Sequence, residues 1–360
     1  MKIAVFHELN QGGARRTVNE FTKRLREKHI VDLYIVDSEK NLEELPFFTN
    51  IFFYKFVPKK WHGGDWKIRL YKDTVEVLKL YILHRKIARI INNNKYEVAF
   101  IHPSKYTQSP FVLQFLKPFS IYYCQEPLRI AYEDIFKQKK TDIFRYWYEK
   151  ANRSLRMKID AFNIRGVDKI LVNSEFSKRN IANAYEKESE VCYLGVDTGF
   201  FKPCMGKKDT DILFVGSDDD IDGYPLLEKV VKHMNLKPKI KVINSKAWAS
   251  EAALLDAYQR ARIVVCFAHN EPFGLIPLEA ASCGSVAVVV DEGGYKESII
   301  DGKTGFLVSR NPIEIAKKLD WLLSNLDKVS TISKIARENV VKNWTWDKSV
   351  QTLWDILSKQ

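Results

Sequence analysis

The feature that most constrains the fold is an alternation of short apolar runs with longer amphipathic segments, which occurs twice along the chain. Apolar runs of this length predict buried strands, and the amphipathic segments between them predict helices on both faces of a parallel sheet. Strands are predicted at Lys2–His7, Val31–Val36, Val98–Ile101, Ile121–Cys124, Lys169–Val172, Asp211–Val215, Lys239–Ile243, Ile263–Phe267 and Val286–Val290. The pattern therefore predicts an α/β protein with two such sheets.

The chain length agrees with two domains, because 360 residues exceed what one hydrophobic core usually organises. The stretch Gly195–Lys208 is rich in Gly and Pro and is the predicted linker. Helices are predicted at Tyr224–His233, Ser250–Arg260 and Trp346–Leu357. Ser250 is the predicted N-cap of the second of these helices.

The segment Trp66–Asn92 is predicted to form a long helix. On one side it carries Tyr71, Val75, Leu78 and Ile82, and on another it carries Lys72, Glu76, Lys79 and Lys86. An amphipathic helix of this kind turns its apolar side toward a core.

Composition excludes several classes of protein. With 46% apolar and 28% charged residues, the chain matches ordinary globular proteins. The five cysteines are scattered and lack the spacing of metal ligands, which favours reduced thiols and a cytoplasmic location. The first residues resemble a strand rather than a leader peptide, and we find no apolar run of about 18 residues that would span a bilayer.

The motif with the clearest chemistry follows the predicted strand Ile263–Phe267 and carries two acids, Glu271 and Glu279. Pro277 is typical of the first turn of a helix, so a helix is predicted to begin there, with Glu279 in its opening turn and Glu271 in the preceding loop. Ligands bind at such strand-to-helix junctions in open α/β sheets. Backbone N–H groups near Gly274 suit a diphosphate, and carboxylates suit sugar hydroxyls. The alternative is a helix start whose acids favour the helix dipole.

The wider sequence makes the motif more specific. It continues with Gly284, Gly293-Gly294, Glu297-Ser298-Ile299 and Asp301-Gly302-Lys303-Thr304-Gly305-Phe306-Leu307-Val308. Earlier segments are Gln11-Gly12-Gly13-Ala14, Asn173-Ser174-Glu175-Phe176-Ser177, Tyr193-Leu194-Gly195-Val196-Asp197 and Phe214-Val215-Gly216. In this order, over nearly the whole chain, these segments resemble those of the family 4 retaining glycosyltransferases.

The resemblance implies the GT-B fold, in which two Rossmann-like domains face a central cleft and the C-terminal helix crosses back to the N-terminal domain. It implies an acceptor-binding domain at 1–195, a nucleotide-sugar-binding domain at 196–342 and the returning helix at 343–360. A UDP- or GDP-sugar is the implied donor substrate, and the family pattern requires no cofactor.

The resemblance also assigns roles to individual residues. Glu279 holds the ribose hydroxyls of the nucleotide, and Glu271 holds the transferred sugar. The other donor-binding residues that it implies are Gly12, Gly13, Gly216, Ser217, Phe273, Gly274 and Leu275. By themselves, Gly12 and Gly13 also fit a tight turn.

The chain departs from the family where the donor diphosphate is usually neutralised. Many relatives carry Arg and Lys at the positions of Ser217 and Asp222. Three explanations are open. Other cations reach the phosphates, with Arg15, Lys229 and Lys246 as candidates; or Asp218, Asp220 and Asp222 bind a divalent ion; or catalysis is lost or altered. The acids also fit a simple helix entrance.

A second departure is Gln125, which stands where relatives commonly have a His near the reacting sugar. Gln125 can hydrogen-bond a hydroxyl but cannot accept a proton as a base. We keep it as a catalytic candidate, because retaining transfer in the family is thought to rely on the donor phosphate rather than on a dedicated protein base. A loop residue without a catalytic role is the alternative.

Basic residues are concentrated in the first half of the chain. Residues 1–173 hold 32 Lys and Arg against 19 Asp and Glu, or +13, out of a net charge of +12 for the whole chain. The clusters comprise Lys55, Lys59, Lys60, Lys67, Arg69, Lys137, Lys139, Lys140, Arg153, Arg156 and Lys158, with Trp61 beside the first. They suit an anionic membrane surface, at the inner face of a membrane, or a lipid-linked acceptor. Solvated helix faces are the alternative, and nucleic acid is disfavoured because no recognition motif accompanies the charge.

The sequence therefore predicts a retaining glycosyltransferase that moves a hexose-like sugar from a nucleoside diphosphate to a glycan or lipid-linked acceptor. A non-catalytic sugar-nucleotide or glycan-binding protein of the same fold is the alternative, because Ser217, Asp222 and Gln125 replace residues expected of an active enzyme. An epimerase on the same fold is a weaker third hypothesis.

Overall fold

The computed structural model describes residues 1–10, 12–39, 46–60, 66–133, 143–244 and 250–358. The chain forms two compact units, Met1–Val172 with Ser177–Val191, and Asn173–Phe176 with Cys192–Gln360. Each unit contains one parallel sheet. The domain boundaries derived from the sequence stay predictions, because the units do not reveal what each domain binds.

The first unit contains seven strands, β1 to β7, at Lys2–Glu8, Ile30–Asp37, Asn50–Lys55, Val98–Ser104, Phe119–Tyr123, Lys169–Val172 and Glu190–Val191. The helices α1 to α6 lie at Gly13–Leu25, Trp66–Tyr71, Val77–Asn93, Arg129–Tyr132, Ile143–Asn163 and Glu175–Tyr185. A π-helical turn at Lys72–Glu76 joins α2 to α3, and a 3-10 turn occupies Phe111–Phe115. The strand order is β3-β2-β1-β4-β5-β6-β7, so the connections reverse direction between β1 and β4.

The second unit contains five strands, β8 to β12, at Thr210–Val215, Ile240–Ile243, Ala261–Cys266, Val286–Val290 and Gly305–Val308. The helices α7 to α13 lie at Tyr224–His233, Glu251–Arg260, Leu275–Ser282, Tyr295–Ser298, Pro312–Leu323, Leu326–Asn343 and Trp346–Leu357. The strand order is β12-β11-β10-β8-β9, so this sheet reverses between β8 and β10.

The structure contains a strand at each of the nine predicted positions, so these predictions are confirmed. The prediction succeeded because strands that are buried on both faces of a parallel sheet consist of continuous apolar runs rich in Val and Ile. All five residues of β11, for example, are fully buried. The sequence analysis missed β3, β7 and β12. These are the edge strand β3 with a partly exposed pattern, the two-residue strand β7, and β12, which lies within the motif that begins at Asp301.

Side chains pack as the periodicity predicts in most helices. Ser250 caps α8, since its hydroxyl accepts a hydrogen bond from the Ala253 N–H at 3.3 Å. The terminal helix α13 buries Trp346, Val350 and Leu353. These contacts confirm the predicted α8 and α13.

The predicted orientation of the long helix in the first unit is wrong. Val75, Leu78 and Ile82 are 39%, 57% and 59% exposed, whereas Leu80 and Ile87 are almost completely buried. Glu76, placed on the polar side, is itself buried and accepts a hydrogen bond from the Lys59 N–H. The helix is apolar on two sides. The side that was predicted to face the core lacks Ala88 and Ile91, which are buried.

The orientation can be tested with a matched pair of substitutions in α3. Ile87→Ala removes a buried side chain and should lower the free energy of unfolding of the first unit by about 2–5 kcal/mol. Ile82→Ala should change it by less than about 0.5 kcal/mol, because Ile82 is exposed. Urea denaturation of both variants measures this difference. A larger loss for Ile82→Ala would contradict the orientation.

Candidate functional site

The candidate donor site lies in the second unit, at the carboxyl ends of β8 and β10. These strands are neighbours, and the sheet reverses its direction of connection between them. Open α/β sheets bind ligands at this position, because the loops that leave the two strands diverge there. The loop after β8 contains Gly216–Gly223, and the loop after β10 contains Phe267–Gly274.

Two glycines bring these loops together and begin the helices that follow. Gly223 has a φ of 82°, and a Cβ at this position would lie 2.3 Å from the carbonyl oxygen of Phe267. Gly274 has a φ of 91°, and its Cβ would lie 2.5 Å from the ring of Tyr295. Both backbone conformations and both close approaches require glycine.

The helices that follow these glycines, α7 and α9, have no side-chain cap at their N-termini. The first N–H groups of a helix have no partner within the helix, and the macrodipole places a partial positive charge at the same end. Since Gly223 packs on Phe267, both N-termini lie at the same end of the sheet. Pro225 has no N–H and the Leu226 N–H donates to the Gly223 carbonyl at 3.1 Å, so α7 contributes chiefly its dipole, and backbone donors suited to an anion are expected at the start of α9.

Helix α9 begins two residues earlier than predicted, at Leu275 rather than at Pro277. Pro277 occupies the third helical position, where the N–H that proline lacks would have had no partner within the helix. Glu279 is consequently in the second turn rather than the first. The junction of strand and helix was predicted correctly, and only its register was wrong.

Glu279 is 2% exposed, and its carboxylate accepts a hydrogen bond from the Tyr258 hydroxyl at 3.1 Å. A buried carboxylate is costly unless polar partners stabilise it, so its presence at the end of the sheet is notable. Tyr258 was missed by the sequence analysis, because it belongs to α8 and is distant from the motif in sequence. An isolated Tyr on a helix gives no signal of such a contact.

Glu271 lies at the same end of the sheet as Glu279. Burial raises the pKa of the Cys266 thiol at the end of β10, and the carboxylates of Glu271 and Glu279 raise it further, which places both acids near the same sulfur atom. The Gly294 N–H donates to the Glu271 carbonyl at 2.8 Å. Glu271 and Glu279 thus both act on the thiol at the end of β10, and their joint role in binding stays a prediction.

Phe273 contributes its main chain rather than its ring to this surface. The ring is buried and contacts Tyr193 and Trp344, with centroids 6.0 and 5.6 Å away. The Ser174 hydroxyl also holds this loop by donating to the Pro272 carbonyl at 2.5 Å. The side chain of Leu275 is half-buried at the first position of α9. These contacts hold the loop, and binding of a donor by the backbone of Phe273, Gly274 and Leu275 stays a prediction.

The residues that replace the usual cations bind each other. The Asp222 carboxylate accepts hydrogen bonds from the Ser217 N–H at 2.5 Å and from the Ser217 hydroxyl at 2.6 Å. Gly216 lies beneath this contact, since a Cβ on it would be 3.1 Å from the Asp222 Cβ. The pair closes the loop after β8 and leaves a carboxylate near the N-terminus of α7.

The acids of the predicted metal motif are not gathered into one site. Asp218 accepts a hydrogen bond from the Asn244 amide at 2.5 Å, Asp222 is held by Ser217, and Asp220 is exposed. Across the described parts of the chain, no group of three or more His, Cys, Asp or Glu side chains is arranged to hold a metal ion. Local hydrogen bonds therefore explain the positions of Asp218 and Asp222.

The alternative cations have different positions. Arg15 is buried in the first unit, 3.7 Å from the Asp37 carboxylate. Lys229 is exposed in the second turn of α7. Lys246 lies outside the described residues, as do Gln11, Trp61, Lys137, Lys139 and Lys140.

In the first unit, Gly12 and Gly13 form the junction between β1 and α1. The space around the Cα of Gly12 is open, since a Cβ there would have no neighbour within 4 Å among the atoms described. Gln125 follows β5, and its carbonyl accepts a hydrogen bond from the Ser177 hydroxyl at 2.7 Å. Its side-chain amide nitrogen is buried and has no hydrogen-bond partner in the described structure. The contacts of Gly12, Gly13 and Gln125 with a donor stay predictions.

The first unit also contains a buried polar cluster that the sequence analysis missed. Nε2 of His84 lies 2.8 Å from the Glu8 carboxylate, and both side chains are fully buried. His7 and His102 are buried beside them at the ends of β1 and β4. Burial lowers the pKa of His102 to about 3. In the sequence, the polar residues His7 and Glu8 at the end of an apolar strand could have indicated this cluster.

Comparison with known proteins identifies the second unit. Residues 203–339 match the sequence model of the family described as glycosyl transferases group 1. This part of the chain is therefore similar to the members of that family.

Two curated relatives agree with this family. D-inositol 3-phosphate glycosyltransferase of Gordonia bronchialis is 28% identical over 109 residues, which cover 30% of this chain and 24% of the relative. Trehalose synthase of Pyrococcus horikoshii is 31% identical over 150 residues, which cover 41% of this chain and 36% of the relative. The matches therefore span less than half of either protein.

Solved structures resemble the whole chain. Sucrose-phosphate synthase from Thermosynechococcus elongatus has a TM-score of 0.73 at 16% identity, covering 99% of this chain and 98% of the other. Anabaena HepE in complex with UDP and glucose has a TM-score of 0.71 at 15% identity, covering 100% of both chains. At these identities the likeness shows the fold, and the predicted GT-B fold is confirmed. No helix in the described ranges is both long and apolar enough to cross a membrane.

The buried His102 predicts how the stability of the first unit depends on pH. Its pKa of about 3 lies below the ordinary value of 6.5, so in that window the unfolded chain binds a proton that the folded chain does not. Stability is therefore lost as the pH falls below 6.5. His102→Phe should remove about 2 kcal/mol of the stability difference between pH 7 and pH 5 in urea denaturation.

The exposed His233, substituted in the same way, serves as the matched control and should leave the pH dependence unchanged. An unchanged pH dependence in the His102 variant would contradict its buried, uncharged state.

Proposed function

We propose that the protein is a retaining glycosyltransferase whose second unit binds a nucleoside diphosphate sugar. The observation that carries this proposal is the buried Glu279 carboxylate beside two uncapped helix N-termini. Carboxylates accept hydrogen bonds from neighbouring hydroxyls, whereas free helix N–H groups bind anions. One end of the sheet thus offers acceptors for a ribose and donors for a diphosphate.

Backbone groups take over part of the role that cations have in many relatives. The N-termini of α7 and α9 lie at the same end of the sheet, since these helices follow the neighbouring parallel strands β8 and β10. Their fixed dipoles stabilise negative charge that develops on a leaving diphosphate, without reorganising during the reaction. The Asp222 carboxylate opposes this effect, since it lies beside the first turn of α7.

The reactive end of the donor is assigned to Glu271 and Gln125. Glu271 orients the hydroxyls of the transferred sugar, and the donor phosphate assists proton transfer from the acceptor. Gln125 positions a hydroxyl by hydrogen bonding, because an amide cannot act as a base. The sugar is hexose-like, and the acceptor is a glycan or a lipid-linked molecule bound by the first unit.

UDP-glucose is the first donor to test, since HepE of Anabaena, which has the same fold, has been solved with UDP-glucose. The reaction needs no cofactor in this proposal. The proposal also places the protein in the cytoplasm, in peripheral contact with the inner face of a membrane.

A non-catalytic sugar-nucleotide-binding protein is the second candidate. The hydrogen-bonded Ser217 and Asp222 favour it, because a negative charge replaces the expected positive ones. Transfer of radiolabelled sugar and hydrolysis of the donor, each with and without EDTA, separate the two candidates. Turnover of UDP- or GDP-sugars is expected and should persist in EDTA. Nucleotide binding without turnover of any common donor would favour the second candidate.

Substitution of the two acids should separate sugar binding from nucleotide binding. Glu279→Ala should weaken binding of the bare nucleoside diphosphate by about 10-fold to 100-fold, as expected for lost hydrogen bonds to a charged group. Glu271→Ala should leave that affinity nearly unchanged and lower kcat by about 100-fold or more. Calorimetry and transfer assays measure the two effects, with Glu314→Ala on α11 as control. Equal, small effects at both acids would refute the assigned roles.

Asp222→Asn tests the charge beside the phosphates. The amide oxygen can still accept from Ser217, so the loop should stay closed while one negative charge is removed. Nucleoside diphosphate binding should tighten by about 3-fold to 10-fold at low salt, and less at high salt. Asp220→Asn, at an exposed neighbour, should have a smaller effect. Weaker binding in Asp222→Asn, together with inhibition by EDTA, would instead indicate a bridging divalent ion.

A further inference from the structure

The first unit exposes a row of apolar side chains along α2, the π-helical turn and α3. The exposed fractions are 67% for Trp66, 41% for Leu70, 39% for Val75, 57% for Leu78 and 59% for Ile82. They recur at helical spacing on the side that faces away from the buried Leu80 and Ile87. Single exposed apolar residues are common, but a continuous row indicates an interaction surface.

Helix α5 begins with a second exposed apolar group. The exposed fractions are 66% for Ile143, 83% for Phe144, 37% for Tyr146 and 57% for Trp147, and two further apolar residues on this helix, Leu155 and Phe162, are 51% and 52% exposed. All five residues of its first part, Ile143–Trp147, are exposed. This end of α5 therefore exposes aromatic side chains, which favour an apolar environment.

Polar contacts bring the two helices side by side. Arg69 donates to the Glu149 carboxylate at 3.1 Å, and Asp73, one turn later, accepts from the Asn152 amide at 3.0 Å and from Arg156 at 2.6 Å. The contacts advance along both helices together, so the helices run in the same direction. The exposed aromatic residues at the starts of α2 and α5 are therefore level with each other.

The charge around these apolar residues has one sign. In the segments 66–93 and 143–163, the exposed charged residues are Lys67, Lys79, Arg85, Lys86, Arg89, Arg145, Lys150 and Lys158. The four acids of the two segments, Asp73, Glu76, Glu149 and Asp160, are buried or half-buried. Asp73 and Glu149 are paired with arginines. Within the described segments 66–93 and 143–163, the surface thus presents apolar and cationic groups without an exposed carboxylate.

We propose that this surface, which we call the amphipathic ridge, docks on an anionic lipid bilayer. The ridge consists of the exposed apolar and basic side chains of α2, the π-helical turn, α3 and α5. Trp66, Phe144 and Trp147 enter the interface between headgroups and acyl chains, where aromatic residues are favoured. The surrounding Lys and Arg side chains contact anionic headgroups.

Charge distinguishes a bilayer from the other occupants. A second copy of the chain would bring the cations of one ridge against those of the other, because a twofold interface pairs a patch with itself. A nucleic acid would satisfy the cations but would leave the aliphatic Leu78 and Ile82 exposed. An anionic bilayer satisfies both the charged and the apolar groups.

Docking does not depend on the proposed transfer reaction, so it can be tested in the absence of any donor. The full-length protein is floated with vesicles of phosphatidylcholine alone, or with vesicles of phosphatidylcholine and phosphatidylglycerol. Binding is expected only with phosphatidylglycerol, and it should weaken at high salt. The variants Phe144→Ser with Trp147→Ser, and Leu78→Ser with Ile82→Ser, should each lower the partition coefficient by at least about 10-fold.

The matched control combines Ile313→Ser with Ile335→Ser, which changes exposed isoleucines on α11 and α12 of the second unit and should leave binding unchanged. Unchanged thermal midpoints and nucleotide affinities show that the variants fold. Absence of binding to anionic vesicles, or equal binding by ridge and control variants, overturns the proposal. So does a wild-type dimer in sedimentation that the ridge variants convert to monomer.

Discussion

The candidate site depends on the close approach of two loops at the end of the second sheet. Gly223 has its Cα so near the Phe267 carbonyl that no side chain fits between them. Since β8 and β10 are adjacent, this contact sets the N-terminus of α7 beside the loop that leads to α9. Gly274 then packs on Tyr295 and fixes the start of α9. In the proposed function, anion binding at this site is thus a property of the backbone, and it does not require a particular cation.

Against this background, the pair Ser217 and Asp222 is better understood as a structural replacement than as a simple loss. The two side chains hydrogen-bond each other and close the loop after β8. A carboxylate in this position disfavours a diphosphate, and fixed helix dipoles favour it. The balance of these opposing effects determines whether the protein turns over its donor or only binds it. Glu271 and Glu279, which we propose to bind the sugar and the ribose, are retained beside this change.

Sequence patterns predicted the strands and the fold, because these depend on local composition and on short spacings, whereas the roles of Glu271 and Glu279 stay predictions. Leu275 as the first residue of α9 was not predicted, since proline is tolerated at several positions of a first turn. The orientation of α3 was predicted wrongly, because its apolar residues occupy two sides and only tertiary packing selects one. Tyr258 and the contact between Ser217 and Asp222 could not be foreseen, because hydrogen bonds between distant or replaced residues leave no periodic signal.

The central claim is that the end of the second sheet holds a nucleoside diphosphate between backbone N–H groups and Glu279. A crystal structure of the protein with UDP or GDP tests this claim most directly. In the expected structure, the ribose hydroxyls are hydrogen-bonded to the Glu279 carboxylate, and the phosphate oxygens lie against the N–H groups that follow Gly223 and Gly274. A nucleotide bound elsewhere in the second unit, or phosphates held by side-chain cations away from both helix N-termini, would contradict it.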